Sequence, residues 1–212
     1  MQNIPIFTAE SGVASLILEE IPYKRVAYIK IQATQTPQLL LSECVAFCKA
    51  AGAEHIFASG HSYLKEYPLH TVIYEMGIRR KELPAVDADA RLVEQKGLNQ
   101  WVELFNKRMS DVPNAASMTI TSAKNFLATG SLFYVYDRTE RIGLGCISGN
   151  RLQAFATLVP GQGKTVLCAL SKQFTAERVV VEVASTNAKA MRLYKDVGFV
   201  IDKLISEWYV VL

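Results

Sequence analysis

No histidine follows His70, no apolar run approaches the ~18 residues of a membrane-spanning helix, and no basic segment precedes the first acidic pair, Glu19-Glu20. A secretory leader and a membrane partner are therefore not expected. The three histidines, His55, His61 and His70, have no cysteine or carboxylate at metal-ligand spacing, so no metal is expected either. Cysteine is sparse. Of Cys44, Cys48, Cys146 and Cys168, the one close pair is four apart, the spacing of neither a redox pair nor a zinc knuckle. All four read as buried thiols of a reducing, cytoplasmic compartment. A formal charge of +3 is too small and too dispersed for a nucleic-acid surface, and the basic cluster Arg79-Arg80-Lys81 reads as a solvated strand end.

What is present is the composition of a globular chain, 50% hydrophobic and 20% charged over 212 residues, long enough for one large domain or two small ones. Residues 25–31 (RVAYIKI) alternate like a strand. Residues 37–51 read as a helix with Leu40, Leu41, Cys44, Phe47 and Cys48 on its inner stripe, and residues 55–58 and 71–78 as two further strands. The strand, helix, strand order recurs over residues 152–183, where FTAERVVVEVAS echoes AGAEHIFAS, a weak internal repeat. The first copy has QATQTPQ where a phosphate-cradling turn needs glycines. Residues 84–90 (PAVDADA) make the best boundary, between a part spanning 1–83 and a domain spanning 84–212.

Beyond that boundary the pattern predicts a short strand at 91–95 and a helix at 98–109 that offers Trp101, Val102, Leu104, Phe105 and Met109 to the core. The run DVPN, residues 111–114, breaks it, and a second short helix covers 121–127. Residues 131–136 and 142–147 read as a hairpin, 152–159 as the third strand of the meander, and final strands follow residue 199. The class is mixed α/β (α+β), with a mostly antiparallel central sheet.

Residues 179–184 (VVVEVA) form a β-branched run that stops at Ser185-Thr186-Asn187, a strand delivering the chain to a helix N-cap. In NAKAMRLYKDVGF, Asn187, Ala190, Leu193 and Tyr194 share one helical stripe. Gly198 then supplies a left-handed C-cap with Phe199 packed behind it. The pattern N..A..LY...GF after a strand, with the element order above, resembles the GNAT-family N-acetyltransferases over residues 91–212, about the last six tenths of the chain. The resemblance implies an acyl-CoA N-acyltransferase fold preceded by a degenerate half-GNAT repeat. It also implies acetyl-CoA as co-substrate and a primary amine of a small molecule, peptide or protein as acceptor; a homodimer stays open.

The turn before the second helix of the repeat, PGQGKTVL at residues 160–167, feeds a helix N-terminus, whose unpaired N–H groups and positive dipole end suit a pyrophosphate. The family pattern Gln/Arg-x-x-Gly-x-Gly/Ala is met at Gln162 and Gly163, whereas Thr165 and Leu167 stand where its last two small residues usually are. The resemblance places the cofactor against Leu158, Val159, Gln162, Gly163, Lys164, Thr165, Val166, Leu167, Asn187, Ala190 and Tyr194. GQGKT also resembles a P-loop, whose first glycine would fall at Leu158, so nucleotide binding is a remote alternative. Glu182, alone in an apolar strand where burial would raise its pKa, and Tyr194, twelve residues on, resemble the glutamate base and tyrosine acid of the ribosomal-protein alanine N-acetyltransferases. Glu182 as a structural bystander, Tyr194 as a core aromatic and Asn187 as a plain cap are the competing readings. A GNAT fold that binds acyl-CoA or a partner without turnover is the competing function.

Overall fold

The computed structural model describes residues 5–112 and 115–212. Two compact units divide them: residues 5–73 with Ile205–Leu212, and Tyr74–Leu204. In the first unit β1 (Ile6–Ala9) and β2 (Gly12–Ile17) form an antiparallel hairpin. They are followed by a one-turn α1 (Ile21–Lys24), β3 (Val26–Thr34), α2 (Pro37–Ala50) and β4 (His55–Ser59). The hairpin has no counterpart in the sequence reading, because its turn, Glu10-Ser11, lacks the Asn-Gly or Asp-Gly signature. Strands β5 (Leu69–Arg79) and β11 (Val200–Val210) each contribute one segment to this unit and one to the other.

Helix α2 starts on a proline, whose missing N–H is tolerated in the first turn. It buries Leu40, Leu41, Cys44 and Cys48 among Ala27, Ile29, Ile56 and Ala58. Phe47 departs from its expected place: it lies on the flank of the stripe, 46% exposed, with its ring against Phe7 at 5.7 Å between centroids. β3 and β4 pair in parallel over five consecutive residues, from Val26 opposite His55 to Lys30 opposite Ser59.

The second unit holds β6 (Asp89–Leu92), α3 (Leu98–Met109), α4 (Ile120–Ala128), β7 (Leu132–Asp137), β8 (Glu140–Ser148), β9 (Arg151–Thr157), α5 (Gly163–Ser171), β10 (Arg178–Ala184) and α6 (Ala188–Val197). The strands are ordered β5-β10-β9-β8-β7-β6, antiparallel from β6 to β9 and parallel between β9 and β10. Alternation along β7 assigns the two layers. Leu132 and Tyr134 join Trp101, Phe105 and Ala123 of α3 and α4, whereas Phe133 and Val135 join Val166, Leu170, Tyr194 and Val197 of α5 and α6. Trp101 is wholly buried, stacked on Phe105, and its indole N–H donates to the Phe133 carbonyl at 2.9 Å.

The structured break after α3 is held by Asn106, whose amide donates to the Met118 carbonyl at 3.0 Å and accepts its N–H at 2.7 Å. Pro113 and Asn114 of the predicted break lie outside the described residues. The strand expected at 91–95 is displaced to Asp89–Leu92 because Val93 turns into the core and a 3₁₀ turn follows. After α6 the chain runs out in one eleven-residue strand instead of the expected final strands.

All four cysteines are unpaired and fully buried, as expected. Burial pushes the thiols of Cys44 and Cys146 up to about 12 and that of Cys48 to about 11. A group raised on folding holds its proton in the native state after the unfolded chain has lost it. Its contribution is complete below the unfolded value of about 8.5 and lost as pH rises toward the folded value. Each such thiol then weakens the fold by on the order of 2 kcal/mol at pH 10. Thermal melts taken between pH 8 and 10.5 should show Tm falling steadily, and native thiols should react with a disulfide reagent far more slowly than denatured ones. A Tm that holds level to pH 10.5 would remove the premise.

Candidate functional site

The second unit opens where β9 and β10 stop pairing. Their ladder consists of Arg151 opposite Val180 and Leu152 opposite Val181, with the Val180 N–H donating to the Asn150 carbonyl at 3.0 Å. Immediately afterwards β9 carries a bulge: Cys146 pairs with Ala154 and Ile147 with Leu152, leaving Gln153 without an opposite residue on β8. A bulge bends its strand and adds local twist. β9 stays on β8 as far as Thr157 opposite Gly143, while β10 parts from it. Among the described residues, 153–157 and 182–184 therefore face one another without a ladder. In the corresponding pair of the first unit, β4 is paired with β3 along its whole length, and the helix between them begins with Pro37.

At the open end of this gap lies the start of α5. Gly161 sits at φ 82°, a left-handed conformation that suits glycine, and turns the chain into the helix. The first intrahelical bond runs from the Val166 N–H to the Gln162 carbonyl at 2.9 Å, so the N–H groups of Gly163, Lys164 and Thr165 have no acceptor within the helix. Gly163 abuts α6: a Cβ there would lie 3.1 Å from Leu193 Cδ2. Val166 and Leu167, expected at the cofactor, have their side chains wholly buried in the core. They can serve a ligand only by fixing the backbone ahead of them. The N–H groups of Leu158 and Val159 both donate to the Ile142 carbonyl, at 2.8 and 3.4 Å, and the Leu158 carbonyl accepts Arg108 of α3 at 2.6 Å.

α5 itself is seated on two glycines that the sequence reading passed over. A Cβ at Gly143 would strike Val166, and one at Gly145 would lie 2.6 Å from Leu170. Val166 and Leu170 are one turn apart, so the helix rests on the β8 backbone itself. The cue in the sequence is the alternation G-L-G across residues 143–145 in an otherwise apolar strand.

α6 places the other expected residues. Asn187 is the N-cap, its Oδ1 accepting the Ala190 N–H at 3.1 Å. Gly198, at φ 109°, closes the helix, its N–H donating to the carbonyls of Tyr194 and Lys195. Ala190 is half-buried against the core. The Tyr194 ring is buried between Phe155 and Phe199, with centroids 6.3 and 5.7 Å away. Its hydroxyl makes no hydrogen bond among the described residues, and burial pushes the phenol well above its ordinary range. The phenol is therefore protonated at neutral pH. Cys168 is a core thiol in the same helical layer.

Glu182 is not where its apolar strand suggested. Val179, Val181 and Val183 take the buried face beside Tyr194; Glu182 alternates to the opposite face with its side chain 46% exposed. The expected burial is absent, and an ion pair takes its place: Arg151 donates to Glu182 at 2.5 Å and, with its other terminal nitrogen, to Glu75 at 2.6 Å. Lys203 approaches Glu75 at 3.2 Å. The Arg151 hydrogen bond, then Lys203, holds Glu75 below the usual carboxylate range. Arg151 and Glu75 were not expected at the site. Glu75 carries the same cue as Glu182, one carboxylate in an apolar strand, YEMGI beside VVVEVA. Among the described residues no group of three or more His, Cys, Asp and Glu side chains is arranged to hold a metal ion, and no helix is long and apolar enough to cross a membrane.

No family model and no curated protein matches the chain. Solved structures do. A functionally unknown conserved protein from Staphylococcus epidermidis shares 14% identity over 98% of this chain and 93% of its own, with a TM-score of 0.60. A GCN5-related N-acetyltransferase from Sphaerobacter thermophilus shares 11% over 94% and 76%, also at 0.60. A tandem GNAT protein from the clavulanic acid biosynthesis pathway shares 10% over 94% and 78%, at 0.52. At such identities the likeness defines the fold: this chain has the mixed α/β fold of the GNAT proteins.

Proposed function

We propose that the chain transfers an acetyl group from acetyl-CoA to a primary amine. The observation that carries this reading is the parting of β9 and β10 next to the unsatisfied N-terminus of α5. A gap through a sheet can be reached from both faces, which is where Tyr194 and Glu182 stand. Acetyl-CoA supplies an activated acetyl thioester. The N–H groups of Gly163, Lys164 and Thr165 hold its pyrophosphate at the positive end of α5, helped by the Lys164 ammonium. Asn187 keeps its side-chain N–H groups available beside its cap. As the amine nitrogen bonds to the acetyl carbon and the C–S bond breaks, Glu182 takes the amine proton and Tyr194 gives its own to the departing sulfur. The similarity to the alanine N-acetyltransferases of ribosomal proteins rests on this Glu and Tyr pair. We place the site in residues 84–212, backed by Glu75 of β5, and treat 1–83 as the degenerate half-repeat, since β4 is paired with β3 along its whole length. Buried free thiols support a reducing, cytoplasmic setting.

Saturating acetyl-CoA should raise Tm, because a ligand at 100 times its Kd stabilises by about 2.7 kcal/mol. Calorimetry should return one site per chain. Thiol release should then depend on added amine, screened with a peptide bearing a free N-terminal alanine, lysine amide and spermidine. Stabilisation without thiol release from any amine would leave a binding protein, and no stabilisation would remove the acyl-CoA reading altogether.

A further inference from the structure

Arg151 stands opposite Val180 in the β9–β10 ladder, one rung before its last, Leu152 opposite Val181, and Glu182 is the first β10 residue past that last rung. Side chains alternate along a strand, so Val180 and Glu182 share a face, and the guanidinium reaches along that face to the carboxylate. The other end of the fork is anchored at Glu75, whose side chain is 12% exposed and further neutralised by Lys203. An arginine fork pinned on a buried carboxylate presents its free donor in one direction and is less able to swing with a passing ligand.

We infer that Arg151 is a positioning residue for Glu182, holding that carboxylate at the lip of the gap with Glu75 as its anchor. This rests on the acetyl-transfer reading above. Arg151 keeps its own proton throughout; the amine proton goes to Glu182 as the C–N bond forms. A structural ion pair of the same composition would tie strands together without making Arg151 and Glu182 act as one unit in turnover.

The test uses the full chain and two readouts. In nitrogen-15 spectra without ligand, the terminal nitrogens of Arg151 should be resolved by slowed rotation, and Glu75→Gln should average them. In turnover, with whichever of the three screened amines gives the fastest thiol release, Arg151→Gln should lower kcat about tenfold or more with an unchanged Kd for acetyl-CoA, and Arg151→Lys should recover most of it. Placed in a Glu182→Gln background, Arg151→Gln should lower kcat no further. Freely rotating Arg151 in the parent chain, or losses that multiply in the double variant, overturn the inference. If Glu182→Gln alone turns over like the parent, the base assignment under the function itself falls; if it is slow but Arg151→Gln is not, only the present inference falls.

Discussion

Tyr194→Phe is expected to lower kcat for amine acetylation by about 10² to 10⁴ while the Kd for acetyl-CoA stays within a few-fold of the parent. The ring is fixed between Phe155 and Phe199, and phenylalanine preserves that packing. Only the hydroxyl is removed, and no protein hydrogen bond among the described residues is lost with it, so the usual route by which such a change destabilises a core is closed. Burial keeps the phenol protonated into the alkaline range, so under the proposed function it would have a proton to give when the sulfur departs. A structural tyrosine would leave turnover nearly unchanged. Measuring kcat together with calorimetric Kd separates lost chemistry from lost binding; turnover within a few-fold of the parent would transfer the proton-donating role to water or to the amine.

Gly145→Ala is expected to destabilise the fold by about 1–3 kcal/mol and to weaken acetyl-CoA binding with it. The added methyl would sit 2.6 Å from Leu170 Cδ1, 2.9 Å from the Ala154 carbonyl oxygen and 3.0 Å from Phe155 Cβ. Leu170 can turn aside, but the Ala154 oxygen is backbone in a paired strand. Lifting α5 would relieve the Leu170 contact and move the N–H groups of its first turn, whereas the Ala154 contact is relieved only by a shift of β8 against β9. For a chain of this length each kcal/mol lowers Tm by roughly 2–4 °C. Gly97→Ala is the control: its nearest neighbour is 3.6 Å away, an ordinary contact, so it should stay within about 0.5 kcal/mol of the parent. Equal melting temperatures for the two variants would show that neither α5 nor β9 packs on Gly145 as closely as described.

Helix α3 occupies the residues its apolar spacing indicates, Leu98–Met109, and α6 is bracketed by the Asn187 cap and the Gly198 left-handed turn that its letters announce. The strand, helix, strand runs β3-α2-β4 and β9-α5-β10 were legible for the same reason. Periodicity, caps and glycine turns act over about a dozen residues, a distance at which the sequence contains all the interacting groups. The β1–β2 hairpin escaped because its turn residues carry no distinctive signature. Leu167, a departure from the family's phosphate turn, and Val166, expected at the cofactor, are core residues of the helix behind that turn.

Local side-chain type and spacing were enough for the element order from β3 to α6, for the buried thiols and for the helix start at Gly163. That β9 and β10 part after two residue pairs, that α5 sits on Gly143 and Gly145, and that Glu182 is turned away from the core follow from how distant segments meet. So does the pairing of Glu182 with Arg151, 31 residues away, which is shared with Glu75, 76 residues away from Arg151. The reason is geometric. Whether a carboxylate in an apolar strand is buried or paired depends on which strands flank it and on which face its parity falls, and neither is written within the strand's own seven residues.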